Sequence, residues 1–330
     1  MLTYIARRLV GAVGVLFVVT LVTYIIFFLV PSNPAVLYSG RTSSAATIVA
    51  TKKKLGLDKS VPVQYVQYVK GLFAGRDYSA GPGDVSHCSA PCLGYSFKNN
   101  VAVRSLIVDR LPVTISIALG AGVLWLAFGL LSGVLSALRK GTVFDRAAMI
   151  VSLAGVSLPV FFTALLSLSV FSYQFNLLPN VHYVNLLDDP LMWARNLLLP
   201  WLTLAFLYAA LYTRLTRASM LETMSEDYIR TARAKGLAER TVVRRHALRA
   251  ALTPLVTVFG LDLGQLLGGA IITEKAFGFQ GIGALAINAI DQSDLPIVIG
   301  VTLIAAFFIV MANLLVDILY GVIDPRVRYA

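Results

Sequence analysis

Long apolar runs are the feature that most limits what this chain can fold into. An α-helix needs about 20 apolar residues to cross the hydrocarbon core of a bilayer. Six runs approach or exceed that length: 9–30, 112–138, 147–172, 197–213, 254–274 and 295–320. Charged residues make up 14% of the chain, whereas soluble domains carry about 25%. The sequence therefore predicts an all-α polytopic membrane protein with six transmembrane helices.

The first apolar run resembles a signal peptide at its start, because Arg7 and Arg8 precede it. The run is longer than the apolar part of a signal peptide, and no small-residue cleavage site follows it. A proline-containing stretch, residues 31–34, stands there instead. We therefore predict that residues 1–30 are retained as a transmembrane helix.

Basic residues accumulate in alternate short loops, which predicts the orientation of the chain. Short loops rich in Lys and Arg face the cytoplasm. The loops opposite to them hold only Arg195 and Lys275. The basic side carries Arg139, Lys140, Arg146, Arg214, Arg217, Arg230, Arg233, Lys235, Arg240, Arg244, Arg245, Arg249, Arg326 and Arg328. Both termini are thus expected in the cytoplasm, and the net charge of +11 reflects topology rather than a nucleic-acid partner.

The loop of about 80 residues over 31–111 is too long for this charge rule and is expected outside. Its sequence indicates a small structured region. Gly56 suits the end of one helix and Pro62 the start of another, while residues 80–84 have the composition of a loop.

Cys88 and Cys92 lie in this external region, where the environment is oxidising. A disulfide within a small loop is the favoured interpretation. The alternatives are two free thiols or, together with His87, a weak metal site. One histidine and two cysteines do not complete a tetrahedral ligand set, so no metal site is predicted.

A polar island separates the fourth and fifth apolar runs at residues 226–237. Residues 228–235 contain alanines, arginines and a lysine but no proline, which favours a helix. Ser225 is a candidate cap for that helix, and Glu226 and Asp227 complement its positive N-terminus.

Gly236 suits the end of this short helix, and a second helical stretch is expected from there to Pro254. Two interpretations of the island stay open on these residues alone. One is a solvated loop that carries topological charge. The other is an element that docks a partner.

Polar and small residues on the fifth run suggest two faces. Gly260, Gly264 and Gly268 share one face and would let another backbone approach, either as static packing or as a sliding interface. Asp262 lies on nearly the opposite side, where it could line a pore or make a structural hydrogen bond or ion pair. Gln265 is a weaker pore candidate beside it.

Asn313 and Asp317 share a face near the inner end of the sixth run. We expect Asp317 to meet a basic group near the membrane surface, and a contact at a cytoplasmic gate is the alternative. An intramembrane enzyme is disfavoured because the chain has neither H-E-x-x-H nor G-x-S-x-G, and only Asp262 with Asp317 could form a dyad. No phosphate-binding G-x-x-x-x-G-K-[ST] run occurs either.

The polar island resembles the cytoplasmic coupling motif of ABC-importer permeases, E-A-A-x3-G-x9-I-x-L-P. Gly236 falls on the family glycine and Ala232 on the second alanine. The strict pattern fails at the other positions, which are occupied by Arg230, Thr231, His246 and Arg249, while Leu248 matches the leucine.

The wider sequence is nevertheless similar to the peptide-importer branch of that family. The resemblance includes D-Y-I-R-T-A-R-A-K-G-L at the island, Y-I-A-R-R-L at the start, G-Y-S-F, R-L-P, S-L-P, N-L-L-V-D and D-P-R-V-R-Y at the end. The chain thus resembles the B-type permease subunit of dipeptide/oligopeptide ABC importers along essentially its whole length. The resemblance implies a type I importer permease fold and a five-helix core over 112–330, with the coupling region at 214–253.

This resemblance implies a transmembrane subunit without catalytic residues or a cofactor of its own. The implied partners are a second, homologous permease, two cytoplasmic ATPase domains that bind ATP and Mg, an extracytoplasmic peptide-binding protein, the peptide and membrane lipid in a bacterial inner membrane. Tyr228 and Ile229 would anchor the island in an ATPase groove. The implied coupling residues are Glu226, Asp227, Tyr228, Ile229, Arg230, Thr231, Ala232, Arg233, Lys235 and Gly236.

The stretch from Glu274 to Gly283 resembles the family's external gate loop, E-x-x-F-x-x-x-G-x-G, with Phe279-Gln280 in place of the usual Trp-Pro. Its glycines permit a tight re-entrant bend. The pore or gate candidates are therefore Asp262, Gln265, Phe277, Phe279, Asn313 and Asp317.

Residues 76–92 replace a shorter link of the family and look like an insertion that carries both cysteines. It would be an extra contact for the binding protein or a tolerated surface loop. The substrate is also a matter of resemblance. Nickel or another small solute is the alternative to peptides, and an intramembrane enzyme or a membrane anchor is a remote one.

Overall fold

The computed structural model describes residues 2–26, 44–54, 58–81, 84–178 and 182–323. The predicted helix end at Gly56, the stretch 31–34 and the basic C-terminal residues Arg326 and Arg328 lie outside the described residues. Twelve helices follow one another in the described part: α1 Leu2–Tyr24, α2 Ala45–Lys54, α3 Val61–Ala74, α4 Val103–Leu138, α5 Val143–Ser157, α6 Val160–Gln174, α7 Pro190–Ser225, α8 Asp227–Ala234, α9 Glu239–Leu267, α10 Ile271–Phe277, α11 Ile282–Asp291 and α12 Leu295–Ile323.

Within the described ranges, five helices are long and apolar enough to cross a membrane: α1, α4, α7, α9 and α12. The pair α5 and α6 makes a sixth span if it is counted as one. The prediction of an all-α protein with six spans is therefore confirmed, with one change at the third span.

The third predicted span, 147–172, is not one straight helix. Helices α5 and α6 meet at an angle of 103°. Leu158 at this break has an extended backbone, and Pro159 caps the start of α6. Proline lacks an N–H donor and pushes the residue before it away from helical geometry, which explains the bend.

Several membrane helices are longer than their apolar runs. Helix α7 has 36 residues because Asp189 caps its start, accepting hydrogen bonds from the N–H groups of Leu191 and Met192. Helix α4 begins at Val103, so the boundary that we placed between residues 111 and 112 falls inside a helix. Helix α9 ends at Leu267, before the predicted end at residue 274. Hydropathy marks the membrane-buried part of a helix and not its polar ends.

Glycines let α4 and α7 pack closely in the core. A methyl group added at Gly129 would lie 2.5 Å from Cβ of Tyr212, and one added at Gly133 would lie 2.5 Å from Cβ of Thr216. Trp125 and Tyr212 are fully buried beside this contact. The sequence analysis did not identify this glycine-lined interface.

Helix α1 lies against α12 and is otherwise little covered by the described part of the chain. An ion pair joins the two helices, with Nη1 of Arg8 at 3.2 Å from Oδ2 of Asp317. The prediction that Asp317 meets a basic group is confirmed.

The region between α1 and α4, which we predicted to lie outside and call the external region, is partly helical and partly a β-hairpin. Pro62 stands in the first turn of α3, as predicted. The following residues form antiparallel strands β1 (Arg76–Gly81) and β2 (Asp84–Cys88). The prediction of a loop at residues 80–84 is therefore wrong for Ala80, Gly81 and Asp84, which belong to strands, while residues 82 and 83 lie outside the described residues. A second short pair, β3 (Tyr95–Ser96) and β4 (Val101–Ala102), leads into α4.

Cys88 and Cys92 form a disulfide, which confirms the favoured prediction and excludes the free-thiol and metal alternatives for this pair. Both cysteines are buried against a small aromatic cluster. Its rings belong to Tyr78, Tyr95 and Phe97. The disulfide and these rings give the external region a core of its own.

A buried carboxylate connects this external region to α12. Asp294 is fully buried and accepts hydrogen bonds from the hydroxyl of Ser96 and, at 3.3 Å, from Nδ2 of Asn99. Burial raises the pKa of Asp294. Lys98 also donates to the backbone carbonyl of Gln292. The external region is thus tied to the residues that precede α12.

Candidate functional site

The polar island folds into the short helix α8, close to the predicted bounds. Glu226 is its N-cap residue and has an extended backbone, and its carbonyl accepts hydrogen bonds from the N–H groups of Ile229 and Arg230. Ser225 is not the cap, because its hydroxyl donates to the carbonyl of Glu222 at 2.7 Å. Asp227 lies in the first turn, where its charge favours the helix.

Gly236 ends α8 as predicted. The N–H of Gly236 donates to the carbonyl of Arg233 at 2.9 Å, and the N–H of Leu237 donates to that of Ala232 at 3.3 Å. This pair of bonds is a Schellman motif, which needs a left-handed residue. Gly236 supplies it with φ of +76°, a region that glycine adopts without steric cost.

The inner face of α8 packs into the chain itself. Ile229 is fully buried and Ala232 is 8% exposed. They belong to an apolar cluster with Met220 of α7 and with Val242 and Ala247 of α9. Our expectation that Ile229 anchors a partner is therefore wrong, because its side chain faces this chain's own core.

The outer face of α8 is exposed. Tyr228 is 45% exposed. Arg230 and Asp227 form an exposed ion pair at 3.2 Å, and Arg233 binds Glu239 across the turn at 2.8 Å. Thr231 and Lys235 complete the exposed set. We call this exposed surface the α8 outer face; it consists of Asp227, Tyr228, Arg230, Thr231, Arg233 and Lys235.

Helices α10 and α11 with the turn between them are named here the gate segment. Glu274 of α10 is fully buried. Its carboxylate accepts hydrogen bonds from the Thr114 hydroxyl of α4 and from the N–H of Ala284, each at 2.8 Å. Burial raises the pKa of Glu274, although these hydrogen bonds favour its charged form. The carboxylate thus joins α10, α11 and α4.

The spacing E-x-x-F-x-x-x-G-x-G has a steric reason in this segment. A methyl group on Gly281 would lie 2.4 Å from the carboxylate of Glu274, and one on Gly283 would lie 2.7 Å from Cα of Ile271. Any side chain at either position would collide with the buried carboxylate or the backbone of α10. The glycines therefore allow the close return that we predicted.

Phe277 and Phe279, the predicted gate residues, are 4% and 2% exposed and belong to the main core. The N–H of Phe279 donates to the carbonyl of Glu274 at 2.8 Å. In this structure neither ring lines an open pathway. Gln280, which replaces the usual proline, accepts a hydrogen bond from Arg110 at 2.7 Å.

The remaining polar candidates lie on α9 and α12. Asp262 is half-buried and accepts a hydrogen bond from the hydroxyl of Tyr212 at 2.8 Å, which matches the structural alternative of our prediction. Gln265 and Asn313 are exposed on this chain. Asp262 and Asp317 bond to different helices, α7 and α1, which gives no support to a catalytic dyad.

The glycine face of α9 is packed against α12, as predicted. A methyl group on Gly260 would lie 2.0 Å from Cγ2 of Val316, and one on Gly264 would lie 2.9 Å from Cβ of Ala312. On Gly268 it would lie 2.9 Å from Cβ of Ala305. The structure shows the close approach of these helices and does not test whether they slide.

One ion pair between α5 and α7, with a buried carboxylate, was not predicted from the sequence. Asp145 at the start of α5 binds Arg217 of α7 through two hydrogen bonds, at 2.6 and 2.9 Å. Ser136 of α4 also donates to Asp145. We had counted Arg217 only as a topological charge. The available signal was Thr142, which accepts a hydrogen bond from the N–H of Asp145 and so marks the helix start.

Comparisons with known proteins agree with this architecture. Residues 129–329 match the family described as binding-protein-dependent transport system inner membrane component, and residues 1–118 match its N-terminal region. The two matches meet within α4, the helix that joins the external region to the core.

Relatives extend the similarity over the whole chain. A Brucella abortus (strain 2308) protein provisionally named as a peptide transport system permease is 39% identical, covering 100% of both chains. A di/tripeptide transport system permease of Pseudomonas aeruginosa (strain UCBPP-PA14) is 37% identical, over 100% of this chain and 99% of its own. A dipeptide transport system permease of Escherichia coli (strain K12) is 36% identical with the same coverage.

Several apolar helices, the packed glycine faces and these full-length matches point to one conclusion. The chain is an integral membrane protein that belongs to the family of binding-protein-dependent transport system inner membrane components.

Proposed function

We propose that this chain is a permease subunit of an ATP-driven importer of dipeptides or short oligopeptides and forms half of the translocation pathway. The names of the full-length relatives support the substrate class, since they are dipeptide and di/tripeptide permeases. The charge distribution of the short loops supports a cytoplasmic location for both termini in a bacterial inner membrane.

The observation that carries the proposal is the way in which α8 packs against the membrane helices α7 and α9. The helix is closed at its C-terminus by the Schellman turn and fixed to α7 and α9 through Ile229. A partner that grips the exposed Tyr228 and Lys235 would therefore move two membrane helices with it. Coupling of this kind requires a packed element that passes displacement onward.

The partner at the α8 outer face is, in this proposal, one of two cytoplasmic ATPase domains. These domains bind ATP and Mg, and this chain contributes neither a cofactor site nor a catalytic residue. Tyr228 supplies the aromatic contact that interfaces favour. Arg230 and Lys235 supply charge, which mainly sets specificity and association rate.

The pathway itself would form between this chain and a second, homologous permease. Gln265 and Asn313 are polar, exposed on this chain and located on membrane helices, as a shared polar path requires. Asp262 would border the same path with its orientation set by Tyr212. The gate segment would close the outer end of the path, with Phe277 and Phe279 as its packed base.

The external region would face the peptide-binding protein. Strands β1 and β2 and the Cys88–Cys92 disulfide form a hairpin in this region. This hairpin is a candidate for an additional contact to that protein, and a tolerated surface feature is the alternative.

The proposal is tested by uptake of a labelled tri- to pentapeptide in cells that lack their own peptide importers and express the complete operon. The intact chain is compared with Gly236→Pro and Gly236→Asn. Proline removes the N–H bond to Arg233 and forbids a positive φ, whereas asparagine tolerates that backbone.

Uptake that survives in Gly236→Asn but is lost in Gly236→Pro, at equal membrane insertion, supports both the peptide substrate and the coupling role. If the intact system imports no peptide, the substrate assignment is wrong and nickel uptake is measured next. If Gly236→Pro transports normally, the coupling role of α8 is wrong.

A further inference from the structure

A pocket opens where α4 and α7 end and α9 begins. It encloses about 1200 Å³ including its open mouth. Leu138 of α4 and Leu221 and Met224 of α7 contribute to an apolar wall. The rim is basic and is formed by Lys140, Arg240 and Arg244. We call this cavity the basic pocket; the proposed transport function does not use it.

The positive charge of the basic rim is not neutralised by the described residues that line the pocket. Lys140, Arg240 and Arg244 are all exposed. The one carboxylate among the described lining residues is Glu239, and it already accepts two hydrogen bonds from Arg233. Among the described lining residues, three cations therefore face the pocket and no further carboxylate balances them, so a negatively charged group would complement the rim.

The apolar wall continues along the outer surface of α4. Leu131, Leu135 and Leu138 are 63%, 42% and 45% exposed. Their spacing of four and three residues places them on one stripe of the helix. This stripe leads from the bilayer-spanning part of α4 directly to the pocket, as an acyl chain would require.

We propose that the basic pocket binds a phospholipid with an anionic headgroup. Its phosphate would lie among Lys140, Arg240 and Arg244, and one acyl chain would cover the stripe of Leu131, Leu135 and Leu138. Basic pockets between membrane helices bind acidic headgroups in this manner. A soluble acidic peptide would satisfy the rim but leave the leucine stripe uncovered, so the combination favours a lipid.

Such a lipid would bridge elements that frame α8. Lys140 follows α4, while Arg240 and Arg244 lie in the first turns of α9. Glu239, beside them, holds Arg233 of α8 at 2.8 Å. The headgroup would thus join the end of α4 to the start of α9 next to the α8 turn.

The test is native mass spectrometry of the full-length purified chain, titrated with phosphatidylglycerol or phosphatidylcholine. The test variant is Lys140→Gln with Arg244→Gln. The matched control is Arg139→Gln with Arg245→Gln, which removes the same charge from exposed neighbours that do not line the pocket.

We expect the intact chain and the control to bind phosphatidylglycerol in preference to phosphatidylcholine. We expect the test variant to bind it about 30-fold more weakly, because each basic residue near anionic lipid contributes about 1 kcal/mol and 1.4 kcal/mol is tenfold. If the double variant misfolds, Arg240→Gln alone carries the test, with an expected loss of about fivefold.

Three results would overturn the inference. Equal losses in control and test variants would mean that general surface charge binds the lipid. Displacement of the lipid by soluble glycerol phosphate at equal concentration would identify a free phosphate site. Normal lipid binding in the test variant, with lost association to the ATPase subunits, would make the pocket a protein interface.

Discussion

Helix α8 and the gate segment share the way in which a short helix ends, but different contacts fix them to the rest of the chain. Each contains a short helix that ends at a glycine with positive φ, +76° at Gly236 and +72° at Gly278. A methyl group on either glycine would meet no other atom within 4 Å. Their acidic residues differ, because Asp227 is exposed and pairs with its own helix, whereas Glu274 is fully buried.

The comparison shows that local interactions define α8, whereas contacts with a distant helix define the gate segment. Helix α8 obtains its bounds from its own caps and is fixed to the bundle mainly through one buried face. The gate segment depends on Thr114 of α4, which bonds both the carboxylate of Glu274 and the N–H of Ile282. We therefore expect α8 to move as a unit and the gate segment to change shape only together with α4.

Glu274→Leu should give the largest effect. It leaves the Thr114 hydroxyl and the Ala284 N–H without their acceptor, and each orphaned buried donor costs about 1–3 kcal/mol. We expect a clear fall in the thermal unfolding midpoint of the purified chain and loss of uptake. Glu274→Gln, which keeps one acceptor oxygen, should lose less. Equal midpoints for the two variants would show that the carboxylate does not hold the segment.

Ile229→Ala should have the next largest effect on stability, and this effect should be confined to α8. Removing a buried isoleucine to alanine costs about 2–5 kcal/mol where the cavity stays open. We expect faster hydrogen exchange in α8 without a change in α4 or α12. Tyr228→Ala, at an exposed position on the same helix, is the control. Faster exchange throughout the bundle would contradict the local attachment of α8.

Gly236→Ala and Gly278→Ala form a matched pair of smaller effect. Alanine fits at both sites but must adopt a left-handed backbone, which costs about 1–2 kcal/mol. We expect similar losses of local stability, read by hydrogen exchange around each turn. A much larger loss at Gly278 would mean that the turn of the gate segment is strained by its tertiary contacts.

Arg230→Gln should have the smallest effect on stability. Its ion pair with Asp227 is exposed, and such pairs contribute about 0–1 kcal/mol. We expect an unchanged unfolding midpoint but slower association with the ATPase subunits at low salt. An unchanged rate would exclude Arg230 from the docking charge, and a lowered midpoint would contradict its assignment as an exposed pair.

The outline of α8 was predictable because its signals are local. Gly236 and the acidic start marked its ends within two residues. The burial of Ile229 was not predictable, because Tyr228 and Ile229 are adjacent apolar residues and only the neighbours from α7 and α9 decide which one faces inward. Ser225 failed as a cap because α7 continues through it and Glu226 takes the extended backbone instead.

The gate segment was less predictable than α8, because it depends more on distant residues than on local signals. The spacing of Glu274 and the two glycines indicated a bend, but Thr114 lies 160 positions away and no local pattern connects the two. Phe277 and Phe279 were expected at a gate because their segment resembles the external gate loop of ABC-importer permeases. The structure places them in the main core, whose other buried residues come mainly from α4, α7 and α9.

The sequence by itself determined the membrane class, the number of apolar spans, the short helix after α7 and the cysteine pair, because each follows from composition or from residues a few positions apart. Tertiary structure decided the pairs Arg8–Asp317 and Arg217–Asp145 and the burial of Ile229 and Glu274. These features depend on which distant helix supplies a partner, and that choice is made only when the helices pack.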